Sequence, residues 1–280
     1  MSSIRIVEVG PRDGLQSIAG FVPTEVKIAF VDALSECGFA EIEVSSFVSP
    51  RWVPQLADAR EVFAGITRKS GITYMALVPN EEGLERAHEA RVGKIAVFTA
   101  ASETFSRKNT NVSIAETLRR FKPVIANAGV PVRGYISTAF HCPYEGPIQP
   151  EQVLSVAKSL IDLGCAELSI GDTIGKAIPE EVDRLLEQLL PLRPSAPLPL
   201  CLHFHDTYGH AVANARAANA LGITTFDAST GGIGGCPYAP GASGNVATEA
   251  LVAAFPGQTG LDLECLAKAG AQVRPYIHAP

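Results

Sequence analysis

Short apolar, β-branched runs recur along the chain near Ile4–Val9, Glu41–Val44, Ile72–Leu77, Lys94–Phe98, Val132–Ile136, Glu167–Ile170, Leu200–His205 and Thr225–Ala228. Between them lie longer stretches whose apolar residues repeat at helical spacing. Start signals mark several of those helices: Thr24 before Glu25, Ser113 with Glu116 as a capping box, and Pro150 and Pro179 at first helical positions, each followed by glutamate. Strand and helix alternating eight times predict a closed parallel (β/α)8 TIM barrel. Residues 1–280 read as a single domain, with a short C-terminal helical extension over about 256–280 that holds a helix near Leu261–Gly270 and then a Pro-containing end. Ser195-Ala196-Pro197-Leu198-Pro199 has the composition of a linker but reads as the end of a helix before the seventh strand. A doubly wound sheet is the runner-up, and no G-x-G-x-x-G follows the first strand to support it.

A closed barrel returns every strand end to one mouth, so residues far apart in sequence can share one ion. Asp13 follows the first strand, His203 and His205 lie on the seventh, and Asn245 follows the eighth, which neighbours the first on closure. The i, i+2 spacing of the histidines puts both imidazoles on one strand face and Leu200, Leu202 and Phe204 on the other. Two imidazoles with two oxygen ligands suit six-coordinate Mg²⁺ or Mn²⁺, with positions left for water or substrate. Asn245 also reads as an N-cap for a helix starting at Val246 with Glu249 in its first turn.

Around that set lie further polar residues. Arg12 places a permanent planar cation beside Asp13. Glu41 and Glu43 share a strand face; Glu41 is lower and structural, whereas Glu43 reaches the mouth, as a functional carboxylate or as an ion pair to Arg12. Asp172 ends the sixth strand, placed to hydrogen-bond substrate or a metal-bound water. Cys236 sits in a loop with Gly231, Gly232, Gly234, Gly235, Gly241 and Gly244. That loop reads equally as a lid over a substrate or as a tight turn with a buried thiol. His88, His141, Cys142 and His278 read as loop or surface residues.

Composition agrees with one large core: 46% of residues are hydrophobic and 19% charged. A net charge of −6 offers no basic field for nucleic acid or an anionic membrane. No apolar run approaches the roughly 18 residues of a membrane span, and the N-terminus enters a strand without an apolar signal core, so a soluble, cytoplasmic protein is expected. The six cysteines form no C-x-x-C pair, and most of them read as buried thiols, with Cys236 the exception.

At these motifs the chain resembles the 3-hydroxy-3-methylglutaryl-CoA lyase family, within the metal-dependent barrels that include isopropylmalate and homocitrate synthases. The likeness runs over nearly the whole chain, through Glu8–Gln16, Ile42–Gln55, Cys142–Gly146, Gly171–Gly175 and the Cys236 loop. Condensing synthases share the Arg-Asp-Gly turn and the HxH strand but carry Thr-Leu before the arginine and Glu-Gln after the glycine. The resemblance implies Mg²⁺ or Mn²⁺ on Asp13, His203, His205 and Asn245, and catalytic roles for Arg12, Asp13, Glu43, His203 and Cys236. It also implies substrate contacts from Arg12, Gln16, Ser46, Asp172 and Thr173, an acyl-CoA substrate and a homo-oligomer, expected as a dimer. The implied reaction is retro-Claisen cleavage of a 3-hydroxy-acyl-CoA. A condensing synthase or aldolase, or a barrel that only binds metal or acyl-CoA, are the alternatives. Ser17-Ile18 stand where the family continues Asn-Glu, and the segment after Phe255 looks shortened.

Overall fold

The computed structural model describes residues 3–18, 20–192, 199–234 and 244–277. Eight parallel strands close into a barrel in chain order: β1 (Arg5–Glu8), β2 (Glu41–Ser46), β3 (Thr73–Leu77), β4 (Lys94–Ala100), β5 (Val132–Ser137), β8 (Glu167–Asp172), β9 (Leu200–Phe204) and β10 (Thr225–Ala228), with β10 pairing back onto β1. Between β5 and β8 a two-residue hairpin, β6 (His141–Cys142) and β7 (Gly146–Pro147), interrupts the pattern. Cys142 is buried in it and His141 pairs with Glu181 at 3.0 Å, so neither is a plain surface residue.

The outer ring holds α1 (Thr24–Leu34), α2 (Ala59–Gly65), α3 (Glu81–Glu89), α4 (Glu103–Thr110), α5 (Ile114–Ala126), α6 (Pro150–Leu163), α7 (Pro179–Leu189), α8 (Ala211–Ala220), α9 (Thr248–Ala254) and α10 (Leu263–Ile277). Pro150 and Pro179 open their helices, and the Ser113 hydroxyl accepts the Glu116 N–H at 3.2 Å. Thr24 instead lies inside the first turn of α1 and donates to Asp58 at 2.7 Å. The helix after Phe255 is longer than its sequence suggests, running over Pro275 to Ile277. Its buried face of Leu266, Ala269 and Val273 continues into the last turns and packs on α1. Most of the Ser195–Pro199 segment, together with His278, lies outside the described residues.

Two chemically different cores follow from strand alternation. Outward residues such as Ile6, Ile42, Leu202 and Phe204 join the helices in one apolar layer. The interior is smaller and half polar: Val7, Val9, Met75, Leu77, Ala96 and Tyr135 share it with charged side chains. At the N-terminal end Lys94 bridges Glu41 and Glu167 at 2.8 Å each, and Arg133 pairs with Glu167. That network closes the bottom of the barrel, so Glu41 is structural and the open end is the C-terminal mouth.

Cys37 and Cys265 are joined by a disulfide, which corrects the expectation that both are buried thiols. The packing of α10 against α1 brings together residues 228 apart, a pairing that spacing motifs do not encode. Under non-reducing conditions Cys265→Ser should lower unfolding free energy by about 2–4 kcal/mol. Because disulfides persist only in oxidising surroundings, the difference should vanish in excess reductant. Urea denaturation with and without reductant checks this, and equal stability of the wild type in both would remove the bond's role.

Candidate active site and metal centre

The site begins where β1 ends. Gly10–Gly14 form a single π-helical turn in which the Val9 carbonyl accepts the Asp13 N–H at 2.7 Å. Glycine is required at two of its positions by close approach. A Cβ on Gly10 would lie 2.6 Å from Glu8 Oε1, and one on Gly14 would lie 2.8 Å from the Ile233 carbonyl. The turn therefore sits against Ile233, after β10, and delivers Arg12 and Asp13 to the barrel mouth.

His203 and His205 reach the same point from β9. One ligating atom from each of Asp13, His203 and His205 falls within 4.8 Å of the other two. Asn245 joins them by a different route from the one its sequence context suggests. It caps no helix, since α9 starts at Thr248 after Ala247; instead it forms a bridge with His205, supported by a 2.7 Å bond from Asp206 N to the Gly244 carbonyl. Its side-chain Nδ2 donates to Asp13 Oδ2 at 2.9 Å.

This donor set fits a divalent cation. Burial works against the charge on Asp13, but the Arg12 guanidinium and both imidazoles hold its carboxyl down at about 2. Burial, aided by His203, pulls His205 down to about 4, so its imidazole is neutral at pH 7 with a lone pair to offer. Among the described residues the buried Asn245 Oδ1 and His205 Nδ1 have no hydrogen-bond partner, which leaves both atoms open to an ion.

Arg12 is clamped beside the donors. Its Nε donates to Glu43 Oε2 at 2.7 Å, its Nη2 lies 2.7 Å from the same oxygen, and its Nη1 donates to Asp13 Oδ1 at 2.5 Å. The guanidinium lies 5.5 Å from the centre of the Tyr135 ring, and the Tyr135 hydroxyl donates to Glu43 at 3.3 Å. Burial raises the Glu43 carboxyl above its usual range despite Arg12. A cleft of about 1170 Å³ opens over these groups, with Gln16 and Thr173 in its wall and Trp52 and Phe21 exposed at its rim.

Two expected substrate contacts are placed differently. Asp172 is fully buried and its carboxylate accepts the backbone N–H groups of Lys176 and Ala177, at 3.1 and 3.0 Å; it organises the turn after β8 and does not line the cleft. Ser46 lies on the inner face, because a bulge between Glu43 and Ser45 shifts the β2–β3 register, yet its hydroxyl accepts the Val48 N–H at 3.1 Å and does not line the cleft. Cys236 lies outside the described residues.

Sequence reading missed Tyr135, Arg133, Asp227 and the role of Glu8. Inward alternation on β5 and β10 was the available signal for the first three. Glu8 is fully buried at the end of β1, where its carboxylate accepts the N–H of Gly10 and Thr230 and the hydroxyls of Thr230 and Thr248. It thus staples the turn bearing Asp13 to the segment bearing Asn245. Burial nonetheless pushes its carboxyl from 4.5 up to about 7. The unfolded chain releases this proton near pH 4.5 and the folded chain near pH 7, so stability should fall as pH rises through that window, by on the order of 3 kcal/mol at most. Glu8→Gln should flatten that part of the melting-temperature profile between pH 5 and 8. Parallel profiles for variant and wild type would mean that Glu8 is ionised in the fold.

Fold and donors together define a (β/α)8 barrel with a divalent-metal centre at its C-terminal mouth. The chain belongs to the HMGL-like family, whose model matches residues 3–273. It is 50% identical over 273 residues to the cytoplasmic 3-hydroxy-3-methylglutaryl-CoA lyase of Rattus norvegicus, covering 95% of this chain and 79% of the relative. The crystal structure of the HMG-CoA lyase from Brucella melitensis superposes with a TM-score of 0.96 at 48% identity, covering all of both chains. An Acinetobacter baumannii HMG-CoA lyase, solved with coenzyme A and 3-methylmalate, is 38% identical with a TM-score of 0.92, covering 98% of this chain and 91% of that one. Among the described residues no helix is long and apolar enough to cross a membrane.

Proposed function

We propose that the protein cleaves 3-hydroxy-3-methylglutaryl-CoA, or a close 3-hydroxy-acyl-CoA, to acetyl-CoA and acetoacetate, using Mg²⁺ or Mn²⁺ at Asp13, His203, His205 and Asn245. The observation that carries this reading is a clamped, buried Arg12 beside the Asp13, His203 and His205 donors, in a cleft of about 1170 Å³. That space exceeds the roughly 300–1,000 Å³ of drug-sized pockets and suits an extended thioester.

In the reaction the bond between C2 and C3 breaks, its electron pair goes to the acetyl carbon, and the 3-hydroxyl loses its proton as the ketone forms. A bound divalent ion would acidify that hydroxyl and neutralise the distal carboxylate. Arg12 uses three of its five N–H groups on Glu43 and Asp13, leaving two to receive charge on the thioester oxygen. Glu43 fixes the plane of that guanidinium. Asp13, held at about 2, is a weak base, and the lone pair of His203 is committed to the ion, which leaves Glu43 to accept the hydroxyl proton. The enolate carbon then takes a proton from the thiol of Cys236. Gln16 and Thr173 orient the substrate from the cleft wall.

A cleavage assay over 3-hydroxy-3-alkylglutaryl-CoA thioesters, with and without Mg²⁺, tests the proposal. Metal-dependent release of acetyl-CoA is expected. Condensation of a 2-keto acid with acetyl-CoA and no cleavage would make the protein a synthase, and tight binding without turnover would make it a binding barrel.

A further inference from the structure

Asp227 lies at the centre of the barrel interior, on β10, fully buried and absent from the cleft wall. Three strands converge on its carboxylate. Arg133 Nη1 from β5 donates to Oδ1 at 2.7 Å, Ser169 Oγ from β8 donates to Oδ2 at 2.9 Å, and Cys201 Sγ from β9 lies 3.1 Å from Oδ1. The remaining contact is His203 Nδ1, 3.3 Å from Oδ2.

A carboxylate paired with a buried guanidinium is ionised and can only accept hydrogen bonds. His203 must therefore carry its proton on Nδ1 to satisfy the contact. In a neutral imidazole that leaves Nε2 with its lone pair, and Nε2 is the nitrogen on the side of Asp13, 3.9 Å from Asp13 Oδ2. Tyr135 meets the same ring edge-on with centroids 6.3 Å apart, which limits its rotation. In His205 it is Nδ1 that has no partner among the described residues and is left for the ion.

We propose that Asp227 is a positioning residue for the metal centre: it fixes His203 as the Nδ1–H tautomer and so presents the Nε2 lone pair to the divalent ion. Arg133 is the counter-charge that keeps Asp227 an acceptor. The inference rests on the reading of Asp13, His203 and His205 as metal ligands. It extends that reading to a buried residue that touches neither substrate nor ion.

Asp227→Asn is the informative variant. Arg133 still demands an acceptor on its side of the group, so the carboxamide must turn its NH₂ towards His203. A donor there forces the proton to Nε2, where it blocks ligation. Mn²⁺ titration followed by electron paramagnetic resonance should show affinity weakened by about 10–100-fold, the usual effect of losing a group that orients a ligand. Ser169→Ala, which keeps the carboxylate, should leave the affinity unchanged. ¹⁵N-histidine correlation spectra of the wild type should show His203 protonated on Nδ1, with His205 as the internal reference. Equal Mn²⁺ affinity in Asp227→Asn and wild type would overturn the inference while leaving the metal reading intact. Failure of the wild type to bind Mn²⁺ would overturn both. Should Asp227→Asn not fold, the wild-type spectrum decides alone: a proton on Nε2 of His203 refutes the proposal.

Discussion

Arg12→Gln should lower kcat by at least about 10²-fold while changing KM far less, as expected for loss of one preorganised donor to a developing oxyanion. The geometry makes Arg12 costly to replace. Its side chain is only 8% exposed, and both neighbouring carboxylates and the Tyr135 ring hold it in one orientation before any substrate arrives. Charge that builds on the thioester oxygen therefore meets a cation that need not reorganise. Glutamine offers one NH₂, no charge, and too short a reach to span Glu43 and Asp13 together. Breaking a buried pair usually costs about 3–5 kcal/mol of stability, but the penalty should fall below that range because Glu43, already raised by burial, can take up a proton. Circular dichroism should accordingly show a folded variant. Arg12→Lys restores the charge without the planar fork, so it should recover stability more than kcat. An effect confined to KM would recast Arg12 as an anchor for the substrate's anionic end.

The contrast between Arg12 and Asp227 shows what could be read from the sequence. Arg12, Asp13 and the HxH pair stand in short blocks whose spacing has a direct geometric meaning: a turn after a strand, and two side chains on one strand face. The eight-unit barrel was legible for the same reason, because strand and helix periodicities are local. Asn245 was visible as a donor, but its role depends on a bridge to His205, made by chain 40 residues away. Asp227 stands in a four-residue strand whose alternation points it inward but does not name its partners, which come from three other strands. Ser46 illustrates a subtler obstacle. Simple alternation would align it with Ile42 and Val44 on the outer face, and only the bulge turns it inward. The Cys37–Cys265 bond likewise depends on the docking of α10, which a Pro-containing tail did not announce.

Chelation should abolish turnover, and Mg²⁺ or Mn²⁺ should restore it, with His205→Ala separating metal binding from folding. His205 is almost fully buried, yet its Nδ1 finds no partner among the described residues. In the metal-free chain such a group costs stability, since an unsatisfied buried donor or acceptor carries a penalty of about 1–3 kcal/mol. Deleting it exchanges that penalty for a cavity at the open mouth, where water can enter, so the melting temperature of chelated His205→Ala should lie close to that of the chelated wild type. With metal present the two should diverge. The wild type gains stability in proportion to the logarithm of ion concentration over Kd, and the variant, lacking one of its two imidazole ligands, gains little. Thermal unfolding across a Mn²⁺ titration thus reads the ligand role of His205 without any catalytic assay. A metal-induced rise in melting temperature that is the same for both proteins, or full activity after chelation, would show that the Asp13, His203 and His205 cluster is not the catalytic metal centre.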